Sequence, residues 1–500
     1  MMFKFTLILV SNVFPATLTT LLNGNTAPLV IMLSTTKSSA KPKRPEQKFQ
    51  TRLNSETGTG PPLRKMVIPT RMVKTQSFAL GSSTVGLLKT HRTPTTAPSA
   101  MPGPCFLMVL ISAAWALVQS RVFSIGLCQD EPIQYIASSG IVPQTSLYLD
   151  YFDTQLDALS FFQTDFATAH ELLTALNAQL QEDSVNANGQ NYAVLTTLGL
   201  RHAFGGIQWT GTEDAPLVWL KEMSFDDNMN TVDVIFPAHP ACIYTNATIL
   251  KFYSMHDIGS HYPNATGYRA GNDEAMPLEE CGNMIIMTSM YYTVSKDTAY
   301  LKQHYRLLSQ WAKYLVTDSL IPANQASTDD FERPLSNQAN LAIKGIVWIQ
   351  AMSVIANLAG NTVDATNYSS IASNYVTDTW SLLYNAYADK ALNPGIIPQS
   401  IYNQQSKFYP SVLETFSIPV DTRHQWSKSD WQVWTAATAS DSTRQDMIDA
   451  VATWAAATSE WLSFSDLYET QTGAYVYQFA DRPVQGGLLA VLVADMGLTV

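Results

Sequence analysis

The chain has 500 residues, 46% apolar and 14% charged, a balance that belongs to a folded globular protein. Its net charge of −11 is unevenly divided: residues 1–125 hold 14 Lys and Arg against only Glu46 and Glu56, so the rest of the chain is strongly acidic. An acidic body argues against nucleic acid or an anionic membrane as partner, because both need clustered Lys and Arg, and the basic stretch shows no helical spacing of its charges.

Residues 1–121 are crowded with Ser, Thr, Pro, Lys and Arg and carry no sustained period of 2 or 3.6. They read as a disordered basic arm or as a stretch translated out of frame. Lys4 and the apolar run 5–10 resemble the start of a signal peptide without a clear cleavage site, and the apolar run 106–118 is too short to span a bilayer. Residues 122–235 form a mixed region leading into the helical body. Within it, 147–159 and 168–181 predict helices, with Asp165 and Thr168 as caps and an apolar face through Leu172, Leu176 and Leu180. The β-branched residues of 230–236 predict a short strand or extended loop ahead of Pro237.

From 236 to 500 the chain reads as a succession of helices. Leu301, Tyr305, Leu308, Ala312 and Leu315 recur at helical spacing, as do Leu341, Gly345, Trp348, Met352 and Ile355, each set forming an apolar stripe that faces a core. The loop 317–337 between them is long enough to carry function. Further helices are expected at 365–389, 400–416, 430–439, 442–457 and 483–496. Helix, acidic loop, helix is the recurring unit, which predicts a mainly α architecture of α/α hairpins arranged as an array or toroid.

Four polar clusters fall on the connections: MHDIGSHYPN (255–264), DEAMPLEECGN (273–283), STDDF (327–331) and DTRHQWSKSDW (421–431). Together with NLAIKG (340–345), QAMSVIA (350–356), DLYETQTG (466–473) and Arg482-Pro483, in this order, they resemble the secreted fungal glutaminase A family over about 122–500. The resemblance implies a six-hairpin α/α toroid behind an N-terminal β-rich region, an extracellular location, and hydrolysis of L-glutamine to L-glutamate and ammonia without a cofactor. The sequons at Asn246, Asn264 and Asn367 agree with export. Against the family pattern, the chain is short by roughly a hairpin at 375–383 and lacks a helical passage at 250–255; the β-rich region is also largely missing.

Hydrolysing a carboxamide needs activated water or a nucleophile, a donor for the oxyanion, and an acid for the leaving ammonia. Asp329 and Asp330, on the long loop, are either catalytic carboxylates or caps of the next helix. Glu279 and Glu280, ahead of Asn283 and a helix expected from Met284, are either site acids or first-turn acids favoured by the helix dipole. Asp257 lies between His256 and His261, whose spacing in a Gly/Pro loop does not suit a metal pair; a substrate contact or a structural Asp fits better. Arg423 suits bidentate pairing with an amino acid's carboxylate and His424 a proton relay, with an Arg423–Asp421 ion pair as the alternative. Asp430 is a helix cap or the cleft's second carboxylate, and Trp431 a sugar platform or part of the core.

Cys281 reads as a structural thiol before a nucleophile. The four cysteines include no CxxC pair, and neither a serine elbow nor a phosphate-binding glycine loop is present. Two other outcomes stay open. One is an inverting glycoside hydrolase using Asp330 and Asp430, and the other is an inactive truncated paralogue.

Overall fold

The computed structural model describes residues 127–498 apart from 225–226, 252–256, 260, 269–274, 328–333, 376–381, 422, 459–462 and 477–478, together with the backbone of four strands before residue 112. The chain divides into two compact units, Met1–Cys128 with Leu159–Phe166, and Gln129–Ala158 with Ala167–Val500.

The first unit holds β1 (Leu33–Ser34), β2 (Lys74–Leu80), β3 (Ser83–Lys89), β4 (Leu107–Ile111) and β5 (Leu127–Cys128). Strands β2, β3 and β4 form an antiparallel meander in which Lys74 faces Lys89 and Leu88 faces Leu107, while β1 pairs in parallel with β5. No element was expected before residue 122. The β-branched and apolar residues of β3 and β4 suit paired strands, a local signal outweighed by the Ser/Thr/Pro-rich surroundings.

The second unit opens with the hairpin of β6 (Ile133–Ala137) and β7 (Gly140–Gln144). Helices α1 (Tyr148–Tyr151), α2 (Gln155–Thr164) and α3 (Phe166–Gly205) come next in the chain, with Leu159–Phe166 counted in the first unit. A bend at Asn188 and Gly189 divides α3, with Gly189 at φ +77°. The apolar face expected over 168–181 is not a buried one: Leu172 is 61% exposed, Leu176 37%, and only Leu180 is covered. It is the half after the bend that packs, through Tyr192, Leu195, Leu200 and Ala203.

After the hairpin of β8 (Ile207–Gly211) and β9 (Pro216–Leu220), the expected strand at 230–236 is instead the start of α4 (Val232–Thr245). Every residue from Val232 to Ile243 is buried. Burial on all sides overrides the strand preference of the β-branched run, and the helix carries Pro237 and Pro240 within it.

Beyond β10 (Asn264–Ala265), which pairs in parallel with β6, the chain is helical in the order α5 (Pro277–Ser295), α6 (Thr298–Asp318), α7 (Ala339–Ala359), α8 (Thr362–Tyr375), α9 (Tyr387–Leu392), α10 (Gln399–Phe408), α11 (Ser429–Thr438), α12 (Asp441–Ala457) and α13 (Ala490–Asp495). The short antiparallel pair β11 (Trp426–Lys428) and β12 (Leu467–Glu469) leads into α11. Turns of 3-10 helix at Tyr384–Ala386 and Pro483–Leu489 precede α9 and α13. The single helix expected over 365–389 is thus two, α8 and α9.

Six elements form an inner ring. Helix α4 packs on α5, α5 on α7, α7 on the 384–392 segment, that segment on α11, α11 on the 483–495 segment, and the last returns to α4. Helices α6, α8, α10 and α12 lie outside, paired with their inner neighbours by short connections, and α3 reaches the outside of α12 and α13. The two layers differ as burial requires. Outer α6 is amphipathic, with Leu301, Leu308, Ala312 and Leu315 fully covered on one side, each such leucine contributing about 2 kcal/mol of transfer free energy. Inner α7 is buried nearly all round, so its expected stripe is only part of its apolar surface. Between α4 and α5 the described residues hold only a 3-10 turn at Ala247–Leu250 and β10, and no outer helix.

Candidate active site

The first turns of the inner elements converge at one end of the ring. Asp233 is the second residue of α4, Glu279 and Glu280 lie in the first turn of α5, Lys344 is in the second turn of α7, and Asp430 is the second residue of α11. Arg482 immediately precedes the Pro483–Leu489 turn. None of these four helices has a side-chain hydrogen bond at its N-cap. Acids in the first turns of α4, α5 and α11 sit in the favourable field of the helix ends instead.

Two buried networks occupy this end. In the first, the Lys344 ammonium contacts a Glu279 carboxylate oxygen and donates to Asn283 Oδ1 at 2.7 Å, while Asn283 Nδ2 donates to Glu279 and Glu280 at 3.3 Å each. Lys344 also lies 4.3 Å from the centre of the Phe236 ring. Burial lowers its pKa, opposed by Glu279, Glu280 and Asp233. Helix α5 begins at Pro277, not near Met284, so Glu279 and Glu280 are helical rather than on a loop. Proline at the first helical position costs no hydrogen bond there.

The second network is a chain of alternating charge. Glu222 accepts from Arg482 Nη2 at 3.3 Å, and Arg482 Nη1 donates to Asp466 Oδ2 at 3.2 Å. The same Asp466 oxygen holds the Lys428 ammonium at 3.0 Å, and Lys428 lies 3.8 Å from Asp430 Oδ2. All five residues are buried, with Lys428, Asp430 and Asp466 at 0% exposure. Asp430 is the odd member: neither carboxylate oxygen has a hydrogen-bond partner. Burial pushes its pKa up to about 7, with Lys428 opposing and Asp466 adding to the rise. A carboxyl group in that state can take and return a proton at neutral pH.

The surroundings fix Asp430 in place. Lys428 is the residue before α11, so Asp430 is not its cap. Ser429 hydrogen-bonds Gln485 at 3.0 Å, which ties the start of α11 to the last inner segment. A Cβ on Gly487 would meet Asp430 Cβ at 2.8 Å and the Trp434 ring nitrogen at 3.0 Å, so only glycine lets these elements close. Trp431 is 2% exposed and stacks on Tyr384 at 4.3 Å, a core residue and not a platform. Behind it, the rings of Phe236, His239, Tyr387 and Trp434 pack together. His239 Nδ1 meets the Phe236 carbonyl at 2.5 Å, and burial lowers its pKa to about 4.

The other candidates are placed as follows. Asp257 is buried and accepts from the Gly259 backbone at 2.7 Å and from Tyr268 Oη at 2.8 Å, which knits its own loop. Arg423 is exposed and paired with Asp421, and exposed His424 stacks on Trp426 at 3.9 Å. His256, Asp329 and Asp330 lie outside the described residues. Of the sequons, Asn264 and Asn367 are exposed, the latter within α8, while Asn246 accepts hydrogen bonds from Thr248. Cys242 and Cys281 are free thiols; burial pushes the Cys281 thiol up to about 12, which leaves no thiolate at neutral pH.

Lys344, Lys428, Asp466, Arg482, Glu222 and Asp233 were not among the expected site residues. One signal in the sequence marks the first of them: Lys344 is the only charge in the 21 residues of an otherwise apolar helix. Buried charges of that kind are paired, and paired buried charges gather at functional sites.

A closed ring of inner helical elements, with buried carboxylates and cations gathered at their starts, defines the class of scaffold. Residues 189–378 and 376–492 match the glutaminase A six helical-hairpin domain, and 88–183 match a domain of unknown function (DUF5127). The chain is similar to glutaminase A of Aspergillus oryzae, 46% identical over 415 residues that cover 74% of this chain and 60% of that protein. It is also similar to a probable glutaminase of Arthroderma benhamiae, 31% identical over 503 residues that cover 76% and 58%. The chain belongs to the glutaminase A family.

It spans about three-fifths of the length of these curated relatives. Since 74% of 500 residues is 370, about 45 of the 415 positions aligned with the Aspergillus protein face no residue here. The two stretches of the family match meet at 376–378, inside the interval read as short from the sequence.

Proposed function

We propose that this chain hydrolyses the side-chain carboxamide of L-glutamine to L-glutamate and ammonia, with Asp430 as general base and acid. The observation that carries the proposal is a fully buried carboxyl group, free of hydrogen bonds at both oxygens and held up to about 7, at the start of an inner helix. Ionised Asp430 takes a proton from the attacking water, whose oxygen bonds to the amide carbon, and then delivers it to the nitrogen as the C–N bond breaks. Lys428, the cation nearest Asp430, is placed to stabilise the oxyanion that forms between these steps. Glu279, Glu280 and Asn283 supply acceptors suited to the substrate's ammonium, and exposed Arg423 a partner for its carboxylate.

The shortened segments do not remove this machinery. All six inner elements are present among the described residues. This favours a working site over an inactive paralogue. Glycoside hydrolysis is disfavoured by the buried Trp431, which offers no face to a sugar. Export is part of the proposal and fits the exposed sequons Asn264 and Asn367.

The test is to incubate the purified full chain with L-glutamine and, separately, with a panel of glycosides. Release of ammonia and glutamate in equal amounts is the expected result. Sugar release without ammonia would replace the proposal by the glycosidase alternative.

A further inference from the structure

Asp430 ends a chain of five buried charged groups, and the way that chain distributes its two cations is unequal. Asp466 Oδ2 receives both Arg482, at 3.2 Å, and Lys428, at 3.0 Å, whereas Asp430 has Lys428 only at 3.8 Å and no hydrogen bond. Arg482 is held on its other side by Glu222. Backbone geometry brings the two residues together: β11 pairs with β12 with Lys428 opposite Leu467, and the Ser429 amide donates to the Asp466 carbonyl at 3.0 Å, so the Asp466 backbone is held beside Lys428.

We propose that Asp466 is the positioning residue for Asp430: by drawing Lys428 and Arg482 onto one of its own oxygens it withholds both cations from Asp430, which becomes the proton carrier of the chain. This rests on the assignment of Asp430 made above. If Asp466 were neutral, Lys428 would lose its nearer partner and close on Asp430, and a like charge beside Asp430 would vanish. The first change favours ionised Asp430 through an approaching cation, the second by removing repulsion, so both lower its proton affinity.

The groups facing Asp430 are Lys428 from β11, Asp466 and Tyr468 from β12 and its approach, and Arg482. Helix α4, packed on the same side, adds Asp233, which faces Arg482 and Lys344, and His239; α9 adds Tyr387. Of these, only Lys428 and Arg482 can shift toward Asp430 as cations, and both are anchored by Asp466.

The experiment compares kcat/KM against pH for the full-length wild type, Asp466→Asn, Asp466→Glu and Lys428→Met. Asp466→Asn is expected to move the acidic limb down by about one pH unit or more, Lys428→Met to move it up by a similar amount, and Asp466→Glu to restore the wild-type profile. Opposite directions from two neighbouring substitutions are not a consequence of general damage. A folded Asp466→Asn protein with an unmoved limb, or shifts of the same sign in both variants, would overturn the proposal. Should Asp466→Asn not fold, the direction in Lys428→Met decides alone. Should the wild type release no ammonia from glutamine, the function proposed above falls. The titration of Asp430, read by infrared difference against Asp430→Asn, then tests the positioning role by the same shifts.

Discussion

Replacing Asp430 by Asn should stabilise the protein more at alkaline than at acidic pH. The carboxyl group has a pKa near 3.8 when the chain is unfolded and is held up to about 7 in the fold, chiefly because burial disfavours its charge. Below pH 4 the group is protonated in both states and contributes no difference. As pH rises from 4 to 7 the unfolded chain ionises freely while the native one resists, so native stability is lost through this window. Above 7 the full penalty applies. A shift of about three units corresponds to roughly 4 kcal/mol, of which roughly 2–3 kcal/mol develops between pH 5 and pH 8.

The uncharged, isosteric Asn removes that term. Urea denaturation of wild type and Asp430→Asn at pH 5 and pH 8 measures it directly, through the midpoint at constant slope. The advantage of the variant should grow by roughly 2–3 kcal/mol between the two pH values. Parallel changes in the two proteins would show that Asp430 is ionised in the fold at pH 5 and would refute the reasoning.

Three further outcomes are expected. Lys344→Met removes the cation from Glu279 while keeping the volume of the side chain; with a buried carboxylate deprived of this counter-charge, stability should fall by roughly 3–5 kcal/mol in denaturant titrations. Gly487→Ala places a methyl group 2.8 Å from Asp430 Cβ, which should cost about 1–3 kcal/mol in stability and, on the role proposed for Asp430, lower kcat more than it raises KM. His239, lowered to about 4 by burial, keeps its neutral form in the fold while the unfolded chain takes up a proton near 6.5. Its contribution is intact above 6.5 and lost as pH falls toward 4, by about 3 kcal/mol in all, so His239→Gln should flatten the acid side of the stability curve.

Among the outer helices, α6 was the most legible. Helix α6 announces itself because one side is solvated and the other is not, and its spacing of Leu301, Leu308, Ala312 and Leu315 matches the residues that are covered. Inner helices are harder to read. Helix α4 has no polar face at all, and its β-branched start and two prolines imitate a strand; only the surrounding ring explains why it is helical. The start of α5 was expected too late, near Met284, yet the alternative that Glu279 and Glu280 are first-turn acids holds, and both are buried.

For the site, Asp430 was one of four candidates in DTRHQWSKSDW, with Arg423, His424 and Trp431, and Glu279, Glu280 and Asn283 were candidates in their cluster. The cations beside them were not. Lys428 and Arg482 join the network because Asp466 is brought between them. A pairing made by topology leaves no local pattern. Trp431 shows the converse: a tryptophan beside a carboxylate suggests a sugar platform until its stacking on Tyr384 is seen.

The central claim is that Asp430 moves the proton in amide hydrolysis. The most direct test measures ammonia release from L-glutamine at pH 7.5 by the full chain and by Asp430→Asn, with thermal unfolding of both to verify that each is folded. Loss of on the order of 10²–10⁴-fold in kcat by a variant that unfolds at the same temperature or above the wild type is the predicted result. Retention of wild-type turnover by Asp430→Asn would contradict it.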